Sequence, residues 1–197
     1  MLLTLDSLDK SYDGLFDLLG ERKEQVLRFK EFLESETCWL TAPASTRFHL
    51  NFEKGLLLHS VGVTLNALRI RGLLAEDLSE ESVVITALFH DLGKVGSPGK
   101  PYYLRNENMW EVQTRGITYK INPELVTINL AVRSLYLIGN RIALTEEEAQ
   151  AIVAHDGIYP VKGGVNNLDY HQKECRLQMI IHFADKWTAA VEEERRT

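Results

Sequence analysis

Cysteine is scarce in this chain, and long apolar runs do not occur in it. The 197 residues include only Cys38 and Cys175, which form no CxxC spacing, so neither a disulfide framework nor a zinc finger is predicted. A reducing cytosol is the compartment that this usage favours. No apolar run approaches the roughly 18 residues that a transmembrane helix requires, and MLLTLDSLDK at the start lacks the pattern of a signal peptide. We therefore expect a cytoplasmic protein with no membrane partner.

Positive charge is also in short supply. Lysine and arginine total 22 against 28 aspartates and glutamates, which gives a formal net charge of −6 and a pI near 5.6. This balance argues against a module that binds duplex nucleic acid through bulk electrostatic attraction. It does not exclude a small anionic substrate, because a bound metal ion can supply positive charge locally.

Apolar residues recur at helical spacing through most of the chain. A hydrophobic content of 45% suits one globular domain, residues 1–197. Ser79 and Asn122 are predicted N-caps, and Thr145 with Glu148 is a predicted capping box. The helix that follows Ser79 is apolar nearly all round, which indicates a central, buried position. Helices are predicted at about residues 21–34, 56–74, 80–93, 123–138, 146–156 and 169–194, and together they predict an all-α bundle.

Residues 94–120 interrupt this helical pattern. GSPGKPYY has the composition of a loop, and MWEVQT and GITYK are β-prone pieces on either side of Arg115-Gly116. We predict a small β-hairpin within an irregular insertion. Because loops on a rigid scaffold often carry specificity, we expect this insertion to wall the functional pocket.

Four residues that can bind a metal lie on helices that are otherwise apolar. They are His59, the adjacent His90 and Asp91, and Asp185. A buried carboxylate without a partner costs several kcal/mol, so each aspartate must be paired, hydrogen-bonded or metal-bound. Two imidazoles and two carboxylates suit one divalent ion: Mn, Fe, Co, Ni, Zn or Mg. Taken singly, His59 could be a core histidine bonded to a carbonyl, and Asp185 could pair with a neighbour on its own helix.

The order of these residues resembles the HD-domain superfamily of metal-dependent phosphohydrolases. His59, His90-Asp91 and Asp185 follow the H…HD…D pattern, and HDLGK is close to the family's commonest form. Residues 43–63 and 144–157 are similar to two histidine-bearing stretches of a group of bacterial and phage HD proteins, so the resemblance covers residues 43–187. It implies an HD-type helical bundle with a core of about residues 43–191 and an insertion of about residues 94–120.

The resemblance also bears on the number of metal ions. Some HD proteins hold two ions by means of extra histidines between the HD pair and the final aspartate. His155 is the one good candidate of that kind, because Asn129 occupies the comparable position of a second histidine in the related group. Asparagine is a poor ligand for a first-row transition ion beside imidazole. We therefore predict one strongly held ion.

Three residues are predicted to act on the substrate. Lys94 lies one turn after His90 and can neutralise a phosphate oxygen, with a solvated helix-end lysine as the alternative. His155 is expected to face the phosphate or the attacking water, unless it is a helix-terminal histidine favoured by the dipole. Arg47, in the loop before the first ligand helix, is a candidate phosphate clamp or else a surface arginine.

The remaining histidines carry weaker predictions. His49 and His171 have loop or polar surroundings and are expected at the surface. His182 is predicted to support Asp185 from three residues earlier on the same helix face.

Hydrolysis of a phosphate ester by a metal-activated water is the favoured function. Asp91 could take a proton from that water, and His155 or Lys94 could assist the leaving group. HD proteins, as the resemblance implies, cleave nucleotides, cyclic dinucleotides, ppGpp and nucleic-acid ends, and the acidic chain favours a soluble nucleotide. A phosphodiesterase or nuclease is the alternative enzyme, and a non-catalytic nucleotide-binding HD protein is the alternative of another class. A homo-oligomer is left open.

Overall fold

The computed structural model describes residues 3–157 and 174–193, which are mostly helical. None of the helices in these ranges has both the length and the apolar character needed to cross a membrane. The all-α class predicted from the sequence is confirmed, together with a small two-stranded antiparallel sheet. The α-helices are α1 (Leu5–Leu15), α2 (Lys23–Glu36), α3 (Gly55–Leu74), α4 (Glu80–Phe89), α5 (Met109–Arg115), α6 (Leu130–Gly139), α7 (Glu146–Val153) and α8 (Arg176–Trp187), and the strands are β1 (Tyr103–Arg105) and β2 (Tyr119–Ile121).

Three shorter elements complete the described part of the chain. Turns of 3-10 helix follow α1 at Phe16–Leu18 and α4 at Leu92–Val95. A π-helical segment, Thr188–Glu193, continues α8 directly. The last helix was predicted over residues 169–194, and the beginning of that prediction lies outside the described residues.

Helix α3 is central to the bundle and packs against α4 and α8. Residues 55–64 of α3 and residues 83–89 of α4 are buried without interruption. Because both stretches are apolar on nearly every side, they can only be accommodated inside the bundle. The prediction that α4 is a buried central helix is therefore confirmed.

The HDLGK stretch after α4 is held against the first turns of α6. The Gly93 N–H donates to Ser134 Oγ at 2.8 Å, and that hydroxyl donates to the His90 carbonyl at 2.9 Å. A Cβ at residue 93 would lie 2.1 Å from the Leu130 carbonyl oxygen, so only glycine permits this approach. The glycine of the motif thus fixes the backbone just beyond His90.

The pairing predicted inside the insertion is wrong. MWEVQT was expected to be a strand, but Met109–Arg115 forms α5, and β2 pairs with β1 instead. The side-chain oxygen of Asn108 accepts hydrogen bonds from the N–H groups of Trp110 and Glu111, which caps the helix. Gly116, with φ 66°, ends it in the left-handed conformation. Two local caps therefore outweigh the β-propensity of the residues between them.

The helix predicted to begin at Pro123 begins at Leu130 instead. Asn122 accepts a hydrogen bond from the Glu124 N–H and closes a turn. The side chain of Asn129 accepts from two N–H groups of the first turn of α6 and is the true N-cap. Asn129 therefore has a structural role in this fold.

The other predicted caps are confirmed. Ser79 accepts a hydrogen bond from the Ser82 N–H at the start of α4. Thr145 and Glu148 form a capping box at the start of α7. These signals are correct because the residues that make each cap are close together in the sequence.

A buried ion pair connects the segment before α2 to α4 and α7. Arg22 donates two hydrogen bonds of 2.7 Å to the carboxylate of Glu148 and one of 3.0 Å to Glu81. The side chain of Glu148 is wholly buried. Burial alone raises the pKa of Glu148, but hydrogen bonds from Arg22, Thr145 and Ser82 and the charge of Arg22 together outweigh it, so this pKa lies below its ordinary value. Charge pairing thus contributes to the stability of this side of the bundle.

We expect Glu148→Gln to lower the free energy of unfolding at pH 7 by about 1.5–3 kcal/mol, because Arg22 would lose two charge-assisted hydrogen bonds and keep only Glu81 as a charged partner. The lowered pKa means that the contribution of Glu148 is present above its ordinary value of 4.5 and is lost as the pH falls through the lower folded value. Urea unfolding should therefore show a smaller difference between variant and wild type toward about pH 3. Glu146→Gln, at an exposed position of the same helix, is the control. A loss of the same size at both pH values would contradict the charge argument.

Candidate metal centre

The four predicted metal ligands converge, although they come from three helices. His59 lies in α3, His90 and Asp91 directly follow the last residue of α4, and Asp185 lies in α8. His59 Nε2 is 3.1 Å from Asp185 Oδ1 and 3.6 Å from Asp91 Oδ2. His90 Nε2 is 3.6 Å from the same Asp91 oxygen and 3.9 Å from the same Asp185 oxygen. Both imidazoles thus face one pair of carboxylates, and these four residues are called the cluster below.

The end of α4 allows two adjacent residues to reach one site. His90 keeps helical backbone angles, with φ −56° and ψ −41°, whereas Asp91 has φ −99° and ψ 12°. The chain leaves the α-helix between them. Their side chains therefore need not diverge by the 100° that separates neighbours in a regular helix.

Backbone carbonyls orient the rings of His90 and His155. Nδ1 of His90 donates to the Ala87 carbonyl at 2.7 Å, and Nδ1 of His155 donates to the Ile152 carbonyl at 2.7 Å. A carbonyl oxygen only accepts, so in each neutral ring the proton is on Nδ1 and Nε2 keeps its lone pair. Burial lowers the pKa of His90 to about 4, so this ring is neutral at pH 7.

The buried Nε2 of His90 provides the test of whether a metal fits. Within residues 3–157 and 174–193 this atom has no hydrogen-bond partner. Burying a hydrogen-bond acceptor without a partner costs free energy, so the unpartnered Nε2 of His90 requires an explanation. Its lone pair is directed at the cluster, and its other nitrogen is held by a carbonyl, which is the arrangement typical of a metal-binding histidine. Nitrogen and oxygen donors of this kind fit a divalent ion.

The charges of the cluster are balanced by His59 and Lys94. Burial alone lowers the pKa of His59, but the charge of Glu193 and hydrogen bonds to Asp185 and Glu193 outweigh it and raise the pKa to about 10. Burial alone raises the pKa of Asp91, but the charge of Lys94 together with His90, His155 and His59 outweighs it and holds the pKa well below its ordinary value. The carboxylates around His59 therefore favour the protonated, cationic form of this imidazole.

The cluster opens into a cavity of about 310 Å³. Lys94 lines this cavity, with Nζ 2.5 Å from Asp91 Oδ2. Lys186, one residue after Asp185, adds a second ammonium group to the lining. Carboxylates beside two lysines can accommodate a cation and an anion next to each other.

The predicted substrate residues occupy different places. His155 is buried, and its Nε2 lies 3.7 Å from Asp91 Oδ1. Arg47 is exposed, and its guanidinium lies over the ring of Phe48 at 4.7 Å from the centroid. Among the described residues, the wall of the cavity does not include Arg47. The structure thus brings Lys94 and His155 to the cluster and leaves Arg47 at the surface.

Two site residues escaped the sequence analysis. His49, which was expected at the surface, lines the cavity, and its ring centroid is 6.0 Å from that of His59. Glu193, which was not singled out, is 1% exposed, and its Oε1 lies 2.8 Å from His59 Nδ1. The only sequence signal for His49 is weak: it is a histidine in the loop before a ligand helix. Nothing in the local sequence pattern marks Glu193.

His182 supports the segment that carries His155. Its Nδ1 donates to the His155 carbonyl at 2.7 Å. Gly157, with φ 79°, leaves room for the ring, because a Cβ there would lie 2.9 Å from His182 Cε1. This contact takes the place of the predicted one to Asp185.

Comparisons with known proteins do not identify the chain. No protein-family model, curated protein or solved structure matches it. The functional argument therefore depends on the geometry and the donor chemistry of the site.

We expect His90→Ala and Asp185→Ala each to weaken the binding of a divalent ion by more than about 100-fold, since each removes a donor from the cluster. The measurement is metal content after loading with Mn²⁺ or Zn²⁺, followed by titration calorimetry. Asp6→Ala, which removes an exposed aspartate of α1, is the control for loss of charge. Full metal occupancy in both cluster variants would show that these residues do not hold the ion.

Proposed function

We propose that this protein is a metal-dependent phosphohydrolase of the HD type that cleaves the phosphate ester of a small nucleotide. The observation that carries the proposal is the buried Nε2 of His90, which has no hydrogen-bond partner among the described residues and faces Asp91 and Asp185. A lone pair aimed at one buried and one part-buried carboxylate suits a divalent ion that these three residues would bind, with His59 as the fourth ligand.

The charge of the site is consistent with this assignment. Asp91, Asp185 and Glu193 surround His59, and Lys94 is the cation that remains when His59 gives up its proton. A divalent ion would then bring the positive charges to three, equal to the three carboxylates. Such an ion acts as a Lewis acid toward a phosphoryl oxygen and lowers the pKa of a bound water.

Lys94 is suited to bind the phosphate. Burial alone lowers the pKa of Lys94, but the charge of Asp91, its hydrogen bond to Lys94 and the nearby Tyr103 and Asp185 together outweigh it, so this pKa is raised and the group is cationic. Its ammonium group faces the cavity from beside the cluster. It would bind a non-bridging phosphate oxygen and offset the charge that develops in the transition state.

His155 is suited to accept a proton. Because Nδ1 donates to a carbonyl, Nε2 of the neutral ring can only accept. The tautomer therefore favours removal of a proton from the attacking water over its delivery to the leaving group. Asp91 Oδ1 lies 3.7 Å from this nitrogen and is a second group that can accept a proton there.

The size of the cavity favours a compact substrate. A volume of about 310 Å³ is at the lower end of the range of small-ligand pockets, and a chain with net charge −6 would repel a long polyanion. Among the described residues, the insertion contributes only Lys94 to the wall of the cavity, so the prediction that it walls the pocket is not confirmed. Burial raises the pKa of Tyr103 in β1 to about 12, against the lowering effect of the charge of Lys94. A mononucleotide is the substrate class that we favour.

We expect the wild-type protein, supplied with Mn²⁺, Co²⁺, Zn²⁺ or Mg²⁺, to hydrolyse at least one member of a panel of nucleoside monophosphates, deoxynucleoside triphosphates, cyclic dinucleotides and p-nitrophenyl phosphate. A chelator should abolish the activity. Lys94→Met should lower kcat by about 10²–10³-fold, because it removes a charge that stabilises the transition state. Lys100→Met, at an exposed position, is the matched control. Tight nucleotide binding without turnover for any ion would indicate a binding protein instead.

We expect His155→Ala to keep metal content near one ion per chain while kcat falls by about 10²–10⁴-fold, as for loss of a general base. Metal analysis and steady-state kinetics on one preparation measure both quantities. Two ions per wild-type chain, with one in the variant, would show that His155 is a ligand of a dinuclear site.

A further inference from the structure

We infer that Glu193 is the positioning residue for His59: its carboxylate fixes the imidazole so that Nε2 is presented to the cluster. The inference rests on the proposed role of His59 as a metal ligand. It assigns an orienting role to Glu193, at the π-helical end of the described chain, beyond the charge that this carboxylate contributes to the site.

The contact geometry determines which nitrogen faces the cluster. Glu193 Oε1 lies 2.8 Å from His59 Nδ1, and both side chains are buried. A carboxylate only accepts, so Nδ1 carries the proton and the opposite nitrogen faces Asp185 Oδ1 at 3.1 Å. The second oxygen of Glu193 lies 3.4 Å from His49 Nε2 on the wall of the cavity. One carboxylate therefore lies between two histidines of the site.

The π-helical segment brings Glu193 to this position. Hydrogen bonds from i to i+5 change which side chains face inward, and single π turns recur at functional sites. Thr188, at the start of the segment, accepts a hydrogen bond from Asn66 Nδ2 of α3 at 2.9 Å. Gly62 leaves room for this approach, because a Cβ there would lie 3.1 Å from Thr188 Cγ2. The segment is thus docked on α3 close to His59.

The identity of the partner distinguishes His59 from the other histidines of the site. His90 and His155 donate Nδ1–H to neutral backbone carbonyls, whereas His59 donates to a carboxylate. A charged acceptor makes a stronger hydrogen bond and increases the basicity of the opposite nitrogen. Burying a carboxylate costs free energy unless a strong interaction such as this hydrogen bond compensates for it. Packing alone therefore does not account for a glutamate at this position.

The alternative role for Glu193 is that of a metal ligand. His49, His59 and Glu193 form a group whose donor atoms lie within 4.8 Å of one another and could themselves hold an ion. That arrangement would use Nδ1 of His59, on the opposite edge of the ring from Asp91 and Asp185. The two roles therefore predict different responses to substitutions in the cluster.

The experiment compares Glu193→Ala and Glu193→Gln with Glu192→Gln, a half-buried neighbour in the same segment. Zn²⁺ affinity is measured by competition with a chelator, and the His59 Nδ1–H proton is followed by NMR in the zinc-loaded protein. We expect about 10–100-fold weaker Zn²⁺ binding in Glu193→Ala and a smaller loss in Glu193→Gln, whose amide oxygen can still accept. The slowly exchanging Nδ1–H signal should disappear in the alanine variant and persist in the glutamine variant and in the control.

Each other outcome overturns the inference in a recognisable way. Wild-type Zn²⁺ affinity in Glu193→Ala would refute it and leave the proposed function intact. Loss of an ion in His49→Ala and Glu193→Ala, but not in Asp185→Ala, would make Glu193 a ligand of a different site. If Glu193→Ala does not fold, unchanged affinity in Glu193→Gln decides against the inference. Failure of the wild-type protein to bind any divalent ion would refute the proposed function together with it.

Discussion

The buried carboxylates of Asp91 and Glu193 and the part-buried carboxylate of Asp185 surround the imidazole of His59, and their charge must be offset locally. Burying uncompensated charge in an apolar interior costs more than one domain's stability can bear. Lys94 and the proton on His59 supply two positive charges against these three carboxylates. The same low-dielectric surroundings strengthen every interaction that a bound ion or phosphate would make there. In a surface cluster with the same composition, water would screen these interactions and weaken them.

The apolar helices around the site hold its donors in place. Residues 55–64 of α3 and 83–89 of α4 have no freedom to turn outward, so His59 and His90 are fixed by the packing of their neighbours. Two close backbone approaches complete the frame: Gly93 admits α6 behind His90, and Gly62 admits the π-helical segment beside His59. The precision of the site therefore depends on glycines that carry no functional group themselves.

The sequence predicted the parts of the fold that depend on neighbouring residues. Helices α3 and α4 follow from long apolar stretches, and the caps at Ser79 and Thr145 follow from signals within one turn. Helix α1 was not predicted, and the error inside the insertion occurred where two local signals compete. MWEVQT has β-propensity, but Asn108 and Gly116 cap it as a helix. β-Propensity depends on the strand partner that a segment finds, and β1 pairs with β2 instead.

The residues of the site also divide into those that neighbouring sequence marks and those that depend on long-range contacts. His59, His90, Asp91 and Asp185 could be predicted because a polar residue in an apolar helix contradicts its surroundings, and that contradiction is visible in the sequence. Glu193 lies in the run EEERR, which is typical of a solvated helix end. Its burial depends on a π-helical turn and on a contact with His59, 134 positions earlier. No pattern of neighbouring residues encodes that contact. The residue that orients a predicted ligand could therefore be found only from the three-dimensional structure.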